Sequence, residues 1–205
     1  MSCFQELMHR FPSLTKCDVA IRQAFDLLVE CYRLGGKVLV CGNGGSAADA
    51  EHIVGELLNK FNKKRKIDQD VASLLPAEIA DGLVGALPAV SLSSMNAALS
   101  AIANDSRWDL AFAQQVYGLG RRGDVLMAIS TSGNSRNCIN AAYVARAKGL
   151  RVIAMTGVSG GGLAALADVA ICVPEHETFK IQELHLPVYH ALCAAIEDAF
   201  FPHEC

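Results

Sequence analysis

The 205-residue sequence has no surplus of basic charge: 18 Lys and Arg face 21 Asp and Glu, a formal net charge of −3. Binding nucleic acid by neutralising phosphates needs such a surplus, so no nucleic-acid partner is expected. The cluster Lys60, Lys63, Lys64, Arg65 and Lys66 is too short to change this and reads as a solvated loop. No apolar run approaches the roughly 18 residues needed to cross a bilayer, so no membrane span is expected. Residues 1–14 contain neither an apolar core region nor a small-residue cleavage pattern; no signal peptide is expected, and a cytoplasmic location follows. The eight cysteines form no C-x-x-C pair and mostly have apolar neighbours, which argues against a disulfide scaffold and for buried reduced thiols. There is no G-x-x-x-x-G-K-[ST] segment, which removes an ATP P-loop. Repeats and low-complexity tracts are also missing.

What remains is apolar enough for a large core. Hydrophobic residues make up 52% of the chain and charged residues 19%, in one domain's length. Residues 15–35 carry Val19, Ile21, Ala24, Phe25, Leu28, Cys31 and Tyr32 at helical spacing before Gly35-Gly36. Lys37-Val-Leu-Val-Cys41 is a buried strand between glycines, and Ser46-Ala-Ala-Asp49 reads as a capping box opening a helix to about residue 60. Residues 61–88 are irregular, with a short helix predicted near 78–86. Strands are then predicted at 89–92, 124–130, 151–156 and 169–173, and helices at 95–103, 108–119, 134–148 and 178–201. A short helix follows the glycines at 160–162. Alternating helices and nearly continuous apolar strands predict a five-stranded parallel sheet with helices on both faces, a three-layer α/β sandwich. The first helix precedes the first strand, and its apolar stripe is expected in oligomer packing or in the subunit's own core.

Three turns follow predicted strands, at the strand ends where ligands of parallel sheets bind: Gly42-Asn-Gly-Gly-Ser46, Ser130-Thr-Ser-Gly-Asn-Ser135 and Thr156-Gly-Val-Ser-Gly-Gly-Gly162. Backbone N–H groups at a helix N-terminus favour an anion. The hydroxyls of Ser130, Thr131, Ser132 and Ser135, without a neighbouring lysine, suit a phosphate monoester on a sugar. Ser135 acting only as a helix cap is the plainer alternative. Gly42-x-Gly44-x-x-Ala47 superficially matches a dinucleotide fingerprint. The region where its acidic partner should lie, 61–66, is basic and not strand-like.

Among the histidines, His9, His176, His185 and His203 fall into no constellation. His52 and Glu56 lie four apart on one helix face, a spacing that suits a metal or a base beside a proton donor, although by spacing alone a surface His/Glu pair is the plainer reading. Gln182 and His190 are about 12 Å apart in rise on an ideal helix. Sharing one ligand would require converging side chains or a bend, which Pro187 supplies by clashing with the carbonyl of Glu183.

Gly42-Asn-Gly-Gly-Ser46, Asp49-Ala-Glu-His52, Ser130-Thr-Ser-Gly-Asn-Ser135 and Ile181-Gln-Glu-Leu-His185 together resemble the sugar isomerase (SIS) family, and within it the isomerases of sedoheptulose 7-phosphate. The resemblance covers about 15–201 and implies a single SIS domain over 1–205. It implies a homotetramer with active sites between subunits, converting sedoheptulose 7-phosphate to D-glycero-D-manno-heptose 7-phosphate for nucleotide-activated heptose. By the same resemblance, Glu56 and His190 match catalytic positions, and His52, Glu56, Gln182 and His190 match positions that bind zinc in some members. Asn43, Gly44, Ser46, Asn104, Asp105, Ser130, Thr131, Ser132, Ser135 and Gln182 match substrate-binding positions. The chemistry agrees: moving a proton from C1 to C2 through a cis-enediol needs one base, here Glu56, and an acid for the oxygens, here His190. The sequence departs from the family pattern at 66–87, which reads as an insertion, and at Thr178-Phe179-Lys180, where many members carry an Asp.

Two other readings compete. A branch of the same family binds the bacterial replication initiator and resembles this chain along Ala101-Ile-Ala-Asn-Asp105 and Gly133-Asn-Ser-Arg136. Its pattern lacks a histidine matching His190, which favours the enzyme. The other is a phosphosugar sensor that binds without turnover.

Overall fold

A computed structural model describes residues 2–201. Helix α1 (Cys3–Arg10) and a 3-10 turn (Pro12–Cys17) lead into α2 (Asp18–Arg33), β1 (Val38–Cys41) and α3 (Gly45–Leu58). Two short helices, α4 (Gln69–Ala72) and α5 (Ala77–Gly82), precede β2 (Ala89–Ser91) and α6 (Asn96–Asp105). A second 3-10 turn (Trp108–Leu110) runs into α7 (Ala111–Leu119), followed by β3 (Val125–Ile129), α8 (Arg136–Lys148) and β4 (Arg151–Thr156). Helix α9 (Gly161–Ala164), β5 (Val169–Cys172) and α10 (Thr178–Phe200) complete the described chain.

All strands pair in parallel, in the order β2-β1-β3-β4-β5. Alternate strand residues point to opposite faces, so the sheet feeds two cores. On one face Val38, Val40, Met127, Ile129, Ile153 and Ile171 pack with residues of α1, α2, α3 and α10. On the other, Leu39, Leu126, Ala128, Val152 and Ala154 pack against α7 and α8. This is the three-layer sandwich the alternation predicted. Among the described residues the cysteines are free thiols, mostly buried. No helix of the described residues is long and apolar enough to cross a membrane.

Of the two settings open to the stripe of α2, the subunit's own core takes Ile21, Ala24 and Leu28, while Val19 and Leu34 are exposed. The sequence reading missed α1, although Ser2 and Gln5 form a capping box at its start. Most consequentially, the basic cluster is not merely a solvated loop: Arg65 is only 1% exposed. Its Nε donates to Glu197 Oε1 at 2.7 Å, its Nη1 to the Leu57 carbonyl at 2.9 Å and its Nη2 to the Glu56 carbonyl at 2.8 Å. Helix ends leave carbonyls without partners, and this guanidinium satisfies two of them at the end of α3. Glu197 in turn accepts the backbone N–H groups of Phe61 and Asn62 at 2.9 and 2.7 Å. Lys63 pairs with Asp198. The segment that follows, with α4 and α5, is mostly exposed and leaves Leu74 85% accessible.

Removing one partner of a buried ion pair strands the other charge. Arg65→Ala is therefore expected to cost about 3–5 kcal/mol in urea unfolding. Lys64→Ala, at an exposed position, should stay within about 0.5 kcal/mol; equal effects would show that the basic segment is solvated after all.

His185 on α10 is fully buried, near the Thr156 carbonyl at 3.3 Å, and burial pushes its pKa down to about 4. The folded state therefore binds this proton less readily than the unfolded chain. The stabilising contribution is complete above the unfolded value and is lost as pH falls from about 6.5 towards 4, by about 3 kcal/mol. Urea midpoints of the native protein should fall across that window and those of His185→Gln should fall less; parallel curves would contradict this assignment.

Candidate active site

The chain runs outward from β1 in both directions, to β2 on one side and β3 on the other. Ligands of open parallel sheets bind at such a switch point, beyond the carboxyl ends of the strands. The turns after β1 and β3 meet there. Asn43 and Asn137 exchange paired amide hydrogen bonds of 2.9 and 2.8 Å, clasping the glycine turn to the first turn of α8, just after the serine loop. Helix α3 is not opened by a capping box: Gly44, with φ +56°, holds the cap position, and no side chain caps it. Ser46 lies buried in the first turn and Asp49 one turn further in.

In the serine loop, Ser130 Oγ donates to Ser135 Oγ at 2.9 Å and accepts from the Ser135 N–H at 3.3 Å. Ser135 begins α8 but its side chain does not cap it. Ser132 Oγ accepts the Asn134 N–H at 3.1 Å. A hollow of about 240 Å³ is lined by Thr131, Ser132, Asn134, Gly157, Ser159 and His176, among others. Thr131 and Ser132 face it, whereas Ser130 and Ser135 are tied to each other behind it. Ser159 and His176 were not singled out as site residues; position within the third turn was the available signal for Ser159. Asn104 and Asp105 stand exposed at the end of α6, where the Asn104 amide donates to Asp105 at 2.7 Å.

The second cluster rests on α3 and α10, which pack side by side and run in the same direction. Gln182 faces Gly45 at the first turn of α3, Tyr189 faces Asp49 and His52, and His190 faces His52. Helix α10 continues through Pro187 as one element. His52 Nε2 lies 3.1 Å from Glu56 Oε1, and the His52 and His190 rings are 5.0 Å apart at 88°. The ring of Phe61 covers His190 with centroids 5.4 Å apart. Burial, with His52 adding to it against an opposing pull from Glu56, pushes the His190 pKa down, favouring neutral imidazole. Its Nε2 is buried without a hydrogen-bond partner. A hollow of about 410 Å³ between α1 and α10 reaches His190.

One ligand atom each from His52, Glu56 and His190 lies within 4.8 Å of the others. Two imidazoles and a carboxylate with one unpartnered nitrogen form a donor set that fits a divalent ion with an open position. Gln182 sits apart from them in this chain, seven residues or about 10 Å of rise up α3 from His52. Missed by the sequence reading are Tyr189, Phe61 and the Asp49 carboxylate as a hydrogen-bond acceptor. Tyr189 lies in an apolar run where periodicity marks it as core.

Phosphate-ready turns at the switch point of a doubly wound sheet, without the acidic partner that holds a dinucleotide ribose, define an α/β protein of the sugar-phosphate-binding class. A model of the SIS domain matches residues 4–83 and 80–157. A phosphoheptose isomerase of Thiobacillus denitrificans is 46% identical over 180 residues, covering 86% of this chain and 82% of that protein. The structure of a phosphoheptose isomerase from Neisseria gonorrhoeae superposes with a TM-score of 0.75 at 38% identity, covering 94% of both chains. One from Francisella tularensis gives 0.74 at 33% identity, covering 97% of this chain and all of the other. The chain belongs to the phosphoheptose isomerase family of SIS-domain proteins.

Gly133 shapes the serine loop: its φ is +66°, and a Cβ there would lie 2.0 Å from the Gly160 carbonyl oxygen. Gly133→Ala is expected to lose at least about 2 kcal/mol of stability. Gly82→Ala, with nothing within 4 Å, should lose none; matching urea midpoints for the two variants would contradict the close approach.

Proposed function

We propose that this protein isomerises sedoheptulose 7-phosphate to D-glycero-D-manno-heptose 7-phosphate in heptose biosynthesis, acting in the cytoplasm as a single SIS domain with 66–87 as its insertion. The observation that carries the reading is the juxtaposition of Glu56, His52 and an unpartnered His190 nitrogen on adjoining helices of a phosphoheptose isomerase relative. Glu56 is the base. Its carboxylate takes a proton from C1 of the open-chain ketose and returns it at C2, passing through the cis-enediol. Neutral His190 donates to the carbonyl oxygen as the double bond shifts and recovers a proton from the C1 hydroxyl as the aldose forms. Thr131, Ser132 and loop N–H groups hold the phosphate. Asn43, Gly44, Ser46, Asn104, Asp105 and Gln182 orient the carbon chain.

The same His52, Glu56 and His190 would hold a divalent ion, zinc by the donor set. When bound, such an ion supplies Lewis-acid polarisation of the sugar carbonyl. Sites between subunits of a homotetramer fit the spacing along α10. Ile181, which lines the phosphate hollow, precedes His190 by nine residues, roughly 13 Å of rise at 1.5 Å each. In such an assembly the phosphate loop and Gln182 of one copy face Glu56 and His190 of a second.

Glu56→Gln should lower kcat for sedoheptulose 7-phosphate by about 10²–10⁴-fold with KM little changed, and suppress solvent deuterium entry at the exchanging carbon. Ordinary turnover by this variant would overturn the base assignment; no turnover by the native protein, with or without zinc, would overturn the isomerase reading.

A further inference from the structure

Tyr189 is 1% exposed, and its hydroxyl bridges two groups on α3. It lies 2.9 Å from His52 Nδ1 and 3.3 Å from Asp49 Oδ1. On its far side, His52 Nε2 lies 3.1 Å from Glu56 Oε1. Asp49, Tyr189, His52 and Glu56 therefore form a continuous chain of polar contacts through the interface of α3 and α10. The ring of Tyr189 also stands edge-on to both imidazoles, 5.5 Å from His52 and 5.0 Å from His190.

Counting hydrogens along this chain is informative. Both carboxylates only accept. Tyrosine offers one hydrogen and a neutral imidazole one, so two hydrogens serve three contacts. One contact is left as two facing lone pairs, and one further positive centre completes the chain. With the tyrosine hydrogen directed to Asp49, the hydroxyl oxygen accepts from His52 Nδ1–H. The vacancy then falls at Nε2, between His52 and Glu56 and beside the unpartnered Nε2 of His190. A proton there can be shared by two of these three acceptors; a metal ion accepts from all three.

We propose that Asp49 and Tyr189 form an outer relay that fixes His52 as the Nδ1–H tautomer, so that its Nε2 lone pair is presented to a divalent cation. They are positioning residues, acting through His52. The proposal rests on the metal reading given above. Ligating histidines generally donate their second ring N–H to an acceptor, and losing that acceptor weakens metal binding roughly 10–100-fold. Here the acceptor is a buried tyrosine, itself oriented by a carboxylate.

The test is zinc affinity by chelator competition on the full chain, for the native protein, Tyr189→Phe, Asp49→Ala and the double variant, with metal-free melting curves taken alongside. Tyr189→Phe keeps the ring and removes only the hydroxyl. Expected is a roughly 10–100-fold weaker Kd for Tyr189→Phe, a similar loss for Asp49→Ala, and a double variant no weaker than the poorer single one, because Asp49 works only through Tyr189. Native affinity in Tyr189→Phe, or losses that multiply in the double variant, would overturn the relay while leaving the metal site intact. A native protein that takes up no zinc would overturn the metal reading and the relay with it.

Discussion

The packing of α3 against α10 is the constraint on which the site depends. The two helices are far apart in sequence: one follows the first strand, the other the last, and the sheet brings both to the same face. Because they run in the same direction, successive residues match in order. Gln182 meets Gly45, Tyr189 meets Asp49 and His52, and His190 meets His52. At Gly45 the helices approach closely: a Cβ there would lie 2.5 Å from the Gln182 amide nitrogen and would displace that side chain. The opposite end is fixed by the Arg65–Glu197 pair, which ties the last carbonyls of α3, the segment carrying Phe61 and the C-terminal part of α10 into one buried unit. Glu56 and His190 thus lie between the close approach at Gly45 and a buried charge network at the other end of the helix pair.

The two halves of the site differ in how they are built. The serine loop is a backbone device, shaped by Gly133 and held by hydrogen bonds among its own serines, while the helix it opens is tied to the glycine turn. It presents neutral donors at the switch point of the sheet, suited to an anion. The histidine–carboxylate cluster is a side-chain device further along α10, in a setting where burial pushes the His190 pKa down. In the proposed reading, separating anion binding from proton transfer lets one part of a sugar be gripped while another reacts.

Much of the fold was legible because it is written in local patterns. Valine-rich runs between glycines marked the strands, and helical periodicity marked α2, α8 and α10. The adjacency of His52 and Glu56 on one helix face was readable from spacing, which alone favoured a plain surface pair. The remainder depends on contacts between distant segments. Arg65 looked like one more solvated cation because nothing near it in sequence reveals Glu197 across 132 residues. Tyr189 looked like core, which it is, while its hydroxyl also serves His52. Asp49 looked like part of a cap, whereas Gly44 supplies the turn and frees the carboxylate to face α10. The apolar stripe of α2 carried no information about whether it would meet its own sheet or another chain.

The most direct measurement is diffraction from crystals of the Glu56→Gln variant soaked with sedoheptulose 7-phosphate. Expected is density with the phosphate on the Thr131–Ser132 loop and with C1 and C2 between residue 56 of the variant and His190. A sugar bound with its carbonyl end away from both positions would contradict the claim that α3 and α10 together build the catalytic cluster.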